Sequence, residues 1–272
     1  MSSESIEPAS SSSSGSFPWR LFWLLLIAAI AGVGAAIPLV LEVFQPLVKS
    51  GPPLPLPLPI IIIIGLVQNL ILLSVAIGVG LFAARKLGLG APLLEAWLYG
   101  RQSRQSVRGS LGFGTLVGIA VGVVVLVPLL IAAPHLPGLP LVSAARVALW
   151  KRVIIGFYGG IDEEILARLF LLSLFAWLGT KVFQKHETRL SAKAFWIANI
   201  VSAILFGLGH LPSASLVMHI TPAVVAIALV LNGIPAVTFG YLYWRRGLES
   251  AMIAHFCADF VLYAIGPAFL RA

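Results

Sequence analysis

The chain has 272 residues, 59% of them hydrophobic and only 10% charged, with a formal net charge of +8. Soluble domains carry about 25% charged residues, so this composition, with a mean hydropathy of +1.01, excludes a soluble globular fold. It specifies an all-α, polytopic transmembrane helical bundle, because the apolar runs are long enough to cross a bilayer as helices. The positive charge does not mark a nucleic-acid partner. The basic residues sit in loops between apolar runs, with no aromatic-interleaved basic patch, and read as orientation signals in a bilayer. The single cysteine, Cys257, leaves no intrachain disulfide and no multi-cysteine zinc site. It reads as a small apolar side chain.

Residues 1–16 are polar and serine-rich and predict a disordered tail rather than a secretory signal. Trp19, Arg20 and Trp23 form an interfacial anchor, and a first span follows over about 21–44 with a kink predicted at Pro38. The alternating prolines from Gly51 to Pro59 predict a stiff, extended connector outside any helix. A second span covers about 60–84, with Gln68 and Asn69 expected to hydrogen-bond to a neighbouring helix. Residues 85–110 form a basic loop with Arg85, Lys86, Arg101, Arg104 and Arg108. The third span, about 111–133, is rich in glycine and suited to close helix packing. Pro134, Pro137 and Pro140 break the chain, and 142–152 reads as a short interfacial helix carrying Arg146, Trp150, Lys151 and Arg152.

The fourth span, about 153–179, is followed by a basic loop with Lys181, Lys185, Arg189 and Lys193, and by a fifth span over 194–211. Residues 214–244 are interrupted by Pro222, Asn232–Gly233 and Pro235, and read equally as one kinked span or two short ones. Arg245 and Arg246 close that stretch, and a last span covers about 248–270. Trp177, Trp196 and Trp244 read as interface anchors. The total is seven or eight spans. Counted as seven, the basic loops at 85–110, 181–193 and 245–246 share one side with the N-terminus, which the positive-inside rule places in the cytoplasm. The expected location is the cell membrane. The expected division is a tail (1–16), N-terminal helices (17–149) and a C-terminal catalytic core (150–272).

The core is singled out by Gly159-Gly160-Ile161-Asp162-Glu163-Glu164-Ile165-Leu166-Ala167-Arg168. Each ionisable group inside a bilayer costs about 2.5–3.5 kcal/mol on insertion scales, so three acids and an arginine in an apolar span require pairing or a water-filled cavity. Glu164 and Arg168 are four apart, on one helix face, and can form an ion pair. Glu163 points about 100° away from Glu164. That leaves Glu163 facing a cavity as a candidate general base. His210 ends the fifth span. His255 and Asp259, four apart in the last span, share a face, where the carboxylate can accept an imidazole N–H and fix the ring. These groups describe either a water-activating site or a metal site.

Glu-Glu-x-x-x-Arg (Glu163, Glu164, Arg168), Phe-x-x-x-His (Phe206, His210) and His-x-x-x-Asp (His255, Asp259) occur in that order, each in an apolar span. Over about 150–265 the chain resembles the intramembrane proteases related to type II CAAX prenyl endopeptidases and to bacteriocin-processing and self-immunity proteins. The resemblance implies an endopeptidase acting on a membrane-anchored peptide or protein, prenylated or leader-type, within the lipid bilayer. It implies that Glu163 activates a water with His210, and that His255 and its partner stabilise the oxyanion. Where the prenyl proteases carry Asn in the last motif, this chain carries Asp259. An ionised carboxylate repels an oxyanion, so Asp259 is expected to orient His255. A zinc ion held by Glu163, His210 and His255 is the other expectation, since three ligands with an open position suit catalysis. In the eukaryotic relatives the site opens to the cytosol, which seven spans with a cytoplasmic N-terminus do not plainly reproduce. A transporter or scaffold that kept the fold without catalysis is the alternative function.

Overall fold

A segment lying in hydrocarbon must satisfy its own backbone, and a helix does so residue by residue. All the long apolar runs accordingly become helices. The computed structural model describes residues 16–50, 55–100, 102–103, 105–134, 142, 144–183, 190–216 and 218–270. Among them seven helices are long and apolar enough to cross a membrane, and no strand occurs. Spans 1 to 7 are Trp19–Phe44, Leu58–Leu87, Val107–Ala132, Leu149–Val182, Ala192–Ser215, Pro222–Arg246 and Leu248–Leu270. The predicted disordered tail lies outside the described residues, apart from Ser16.

Several boundaries differ from the sequence reading, for local reasons. Span 2 starts at Leu58, so Pro59 is helical. A proline in the first turn is tolerated because its missing N–H would have no partner there. Of the predicted extended connector, residues 51–54 lie outside the described residues, and 55–57 are not helical. The expected helix over 142–152 is not continuous among the described residues: Val142 and Ala144 are helical, 145–148 are not, and Leu149 to Arg152 are the first turn of span 4. The stretch 214–244 resolves into one span. Pro222 opens that helix, the Thr221 hydroxyl accepts the Val224 N–H at 3.3 Å, and Pro235 lies inside it. Ser106 and Ser191 cap spans 3 and 5 in the same way.

The basic loop between spans 2 and 3 contains a short helix, Pro92–Tyr99, that the sequence reading did not include. Glu249, at the start of span 7, holds its N-terminus: Oε1 accepts N–H bonds from Leu93 and Leu94, each at 2.8 Å. The chain passes beside it at Gly247, whose φ of 93° and contact with Pro92 leave no room for a side chain.

Glycines set the helix spacing. On span 3, Gly114, Gly118 and Gly122 form one stripe. A Cβ on Gly114 would stand 2.8 Å from the Ser250 carbonyl oxygen, one on Gly118 would run into the Ala254 backbone, and one on Gly122 would stand 3.1 Å from the Ala258 Cα. Span 3 therefore lies backbone to backbone on span 7, the close approach expected of small-xxx-small patterns. Gly80 of span 2 meets Leu169 of span 4 in the same way. Span 4 is central, packed on spans 1, 2, 5 and 7. One apolar core runs through the bundle, from Leu25 and Leu73 to Leu169, Phe239 and Ala254.

Candidate active site

Span 4 changes its winding where the acids sit. It is α-helical over Leu149–Phe157, π-helical over Tyr158–Glu163 and Ile165–Leu172, and α-helical again from Ser173. Span 7 also turns π-helical, over Phe260–Ile265, directly after Asp259. A π-turn bonds i to i+5 and re-aims the side chains around it, and such turns recur at functional sites. Glycines bring the two segments together. A Cβ on Gly160 would stand 2.8 Å from the Met252 carbonyl oxygen, and one on Gly159 would run into the Asp259 carboxylate. Only a bare backbone lets span 4 approach span 7 closely enough to set its glutamates beside His255.

Glu164 is fully buried and is the hub. Its Oε1 stands 3.0 Å from Arg168 Nη1, an ion pair rather than an aligned hydrogen bond, and accepts the His255 Nδ1–H at 2.6 Å. Arg168, 1% exposed, has further support. Its guanidinium lies over the rings of Phe206 and Phe239, at 5.3 and 5.6 Å, and Nη2 donates to the Ala236 carbonyl oxygen at 3.4 Å. Aromatic faces attract a cation most where water is excluded. One arginine thus ties span 4 to spans 5 and 6, and Glu164 adds span 7.

Glu163 faces the other way, its side chain 20% exposed where that of Glu164 is 0%. It lines a cavity of about 760 Å³ together with His210, His255 and Asp259. Glu163 Oε2 is 3.5 Å from His255 Nε2. His210 donates its Nδ1–H to the Phe206 carbonyl oxygen at 2.8 Å, which leaves Nε2 as its second hydrogen-bonding atom. The Phe206 ring connects the two histidines, 4.7 Å from His210 and 6.4 Å from His255 between centroids. The six candidate residues thus fall into two tiers. Glu164 and Arg168 are sealed in the protein; Glu163, His210, His255 and Asp259 face the space beyond.

The orienting contact to His255 is not the one its spacing suggested. Asp259 Oδ1 stands 3.9 Å from Nε2, beyond hydrogen-bond reach, and Nδ1 is held by Glu164 from another span. A fully buried carboxylate needs donors more than one that reaches a cavity. Asn69 also departs from expectation. It donates to the Gly65 carbonyl oxygen of its own helix at 2.9 Å and lines the cavity. The zinc alternative requires Glu163, His210 and His255 as a ligand group. Among the described residues no three His, Cys, Asp or Glu side chains form a group able to hold a metal ion, so the residues as placed do not fit zinc.

Sequence reasoning missed Phe239, which flanks both Arg168 and His255. A phenylalanine in an apolar span gives no signal. It assigned nothing to Asp162, which is 1% exposed against Gly32 of span 1, with neither carboxylate oxygen hydrogen-bonded. The cavity draws on the ends of spans 1 and 5 and the beginnings of spans 2 and 6, including Phe44, Ile62, Ser213 and Val224. It therefore lies toward the face opposite the basic loops.

Comparison with known proteins agrees with the three motifs. Residues 145–261 match the family model described as type II CAAX prenyl endopeptidase Rce1-like. No curated protein and no solved structure matches the chain. The matched segment begins before span 4, includes every candidate residue and ends two residues beyond Asp259.

Proposed function

We propose that this multi-pass membrane protein, whose residues 145–261 carry the Rce1-like endopeptidase match, is an intramembrane endopeptidase that works through a glutamate-activated water. The observation that supports this reading most is the two-tier site: Glu163, His210, His255 and Asp259 face one cavity inside the bundle, and Glu164 and Arg168 hold them from behind. The catalytic machinery is assigned to 150–272 and the helices of 17–149 to the walls of the cavity.

In this reading a water lies between the Glu163 carboxylate and His210 Nε2. Glu163 takes its proton as the oxygen attacks the scissile carbonyl carbon. The resulting oxyanion meets His255 Nε2, whose imidazole in its protonated form donates a hydrogen bond. When the tetrahedral intermediate collapses, the C–N bond breaks and Glu163 passes its proton to the leaving amine. Glu164 acts through His255, fixing the ring by Nδ1. Arg168 neutralises Glu164, and Asp259 places a further carboxylate beside the imidazole. The cavity walls, built from residues such as Ile62, Leu66, Ile227 and Leu231, suit a membrane-associated substrate with an apolar anchor, prenylated or leader-type. With the basic loops in the cytoplasm of a cell membrane, the cavity opens toward the opposite face.

The test is cleavage of a quenched-fluorescent peptide library, prenylated peptides included, by the purified protein in liposomes. Wild type is run beside Glu163→Gln, each with and without a chelator. The expected result is turnover by the wild type, unaffected by chelator, and a loss of about 10²–10⁴-fold in the variant with unchanged thermal unfolding. Full activity in Glu163→Gln would remove the base assignment. Activity abolished by chelator would restore the zinc alternative. No cleavage by well-folded wild type would favour a transporter or scaffold.

A further inference from the structure

A second cavity, of about 320 Å³, lies at the other end of the bundle, where span 6 meets the start of span 3. It is lined by Gln105, Phe113, Tyr241, Leu242, Arg245 and Arg246. Its charge is of one sign. Arg246 lies 4.2 Å from the centroid of the Phe113 ring, and Arg245 lies 4.4 Å from that of Trp244 and 5.7 Å from that of Tyr241. Among the described residues neither arginine forms an ion pair with a carboxylate. Other cations are engaged: Lys151 with Glu42, Arg168 with Glu164, and Arg85 with the Ser16 carbonyl oxygen. Gln105 Nε2 donates to the Arg245 carbonyl oxygen at 3.1 Å, which fixes the chain beside the pair.

We infer that this cavity binds the phosphate of an anionic phospholipid headgroup. Two guanidinium groups stacked on rings are pre-organised donors, and arginine meets phosphate oxygens with paired N–H bonds. The cavity lies where span 6 ends, at the depth at which headgroups sit, and basic pockets between membrane helices suit such groups. Phe113 and Tyr241 are 42% and 39% exposed, which gives the glycerol and the first acyl carbons an apolar surface beside the charges. A free inorganic anion has no use for that surface, so the lipid is the occupant assigned. The inference does not depend on the proteolytic reading, since the cavity shares no lining residue with the candidate active site.

Native mass spectrometry of the full-length protein, titrated with phosphatidylglycerol, phosphatidylcholine or inorganic phosphate, tests it. Arg245→Gln and Arg246→Gln are compared with Arg108→Gln, a basic residue of the same face that does not line the cavity. Phosphatidylglycerol is expected to bind the wild type in preference to phosphatidylcholine. Each cavity variant should weaken that binding about tenfold, the scale of one lost charge-assisted hydrogen-bond pair, and Arg108→Gln should leave it unchanged. Equal phosphatidylglycerol binding by wild type and both cavity variants would overturn the site. Displacement of the lipid by inorganic phosphate at similar concentration would overturn the lipid assignment. Arg245 is exposed, so that variant tests the proposal even if Arg246→Gln unfolds.

Discussion

The two ends of the bundle are packed differently, and the difference runs along single helices. In span 2 the buried residues are Leu73, Ala76, Ile77, Gly80, Leu81, Ala83 and Ala84, all in the half nearer the basic loops. Span 6 repeats the pattern: Ala236, Phe239, Gly240, Leu242 and Tyr243 are buried, and the half before Pro235 contributes none. At the basic end helices touch through glycine, and the buried Ser173 Oγ is bonded to the Tyr243 hydroxyl at 2.8 Å. At the other end the same helices part around about 760 Å³ of space. The charged cluster sits at the boundary. The proposed activity needs rigid geometry and room for a substrate, and closed packing and open space lie at opposite ends of this molecule.

Substitutions that separate the two ends sharpen the comparison. The largest expected effect is at the boundary. Arg168→Ala strands a fully buried Glu164 and is expected to lower stability by about 3–5 kcal/mol; thermal unfolding in detergent reads this, and an unchanged midpoint would remove Arg168 as the organising cation. Next is the closed end. Gly118→Leu places a side chain against the Ala254 backbone, which cannot yield, and should cost about 1–3 kcal/mol. Gly112→Leu is its control, because a Cβ there meets nothing within 4 Å. Equal melting of the two variants would show that span 3 does not rest on span 7 through that stripe. The smallest effect is expected at the open end. Ile62→Ala, at a half-buried position on the cavity wall and outside the buried core, should shift stability by no more than about 0.5 kcal/mol. A loss comparable to that of Gly118→Leu would mean that the open end is as tightly built as the closed one.

The spans were legible because bilayer thickness dictates an apolar length that no other element needs. Glu164 with Arg168 was legible because i, i+4 neighbours meet on a helix face, and the pair survives at 3.0 Å although Arg168 lies within the π-helical segment Ile165–Leu172. Span 6 was ambiguous because Pro222 and Pro235 carry the same local signal in two settings: one opens the helix and the other is absorbed inside it. The helix Pro92–Tyr99 was hidden because its cap is Glu249, more than 150 residues away.

By itself, then, the sequence determined that the chain crosses a membrane as helices and where its charges had to be paired, and it singled out the three motifs whose residues line or support the cavity. These follow from local periodicity and from the cost of charge in hydrocarbon. Tertiary structure alone decided that Glu164, not Asp259, holds His255, that Phe206 and Phe239 flank Arg168, and that Glu163 faces a cavity on the side away from the basic loops. Those outcomes depend on how closely two helices approach, which is set by what each glycine meets across the interface, and no spacing along one chain segment records that.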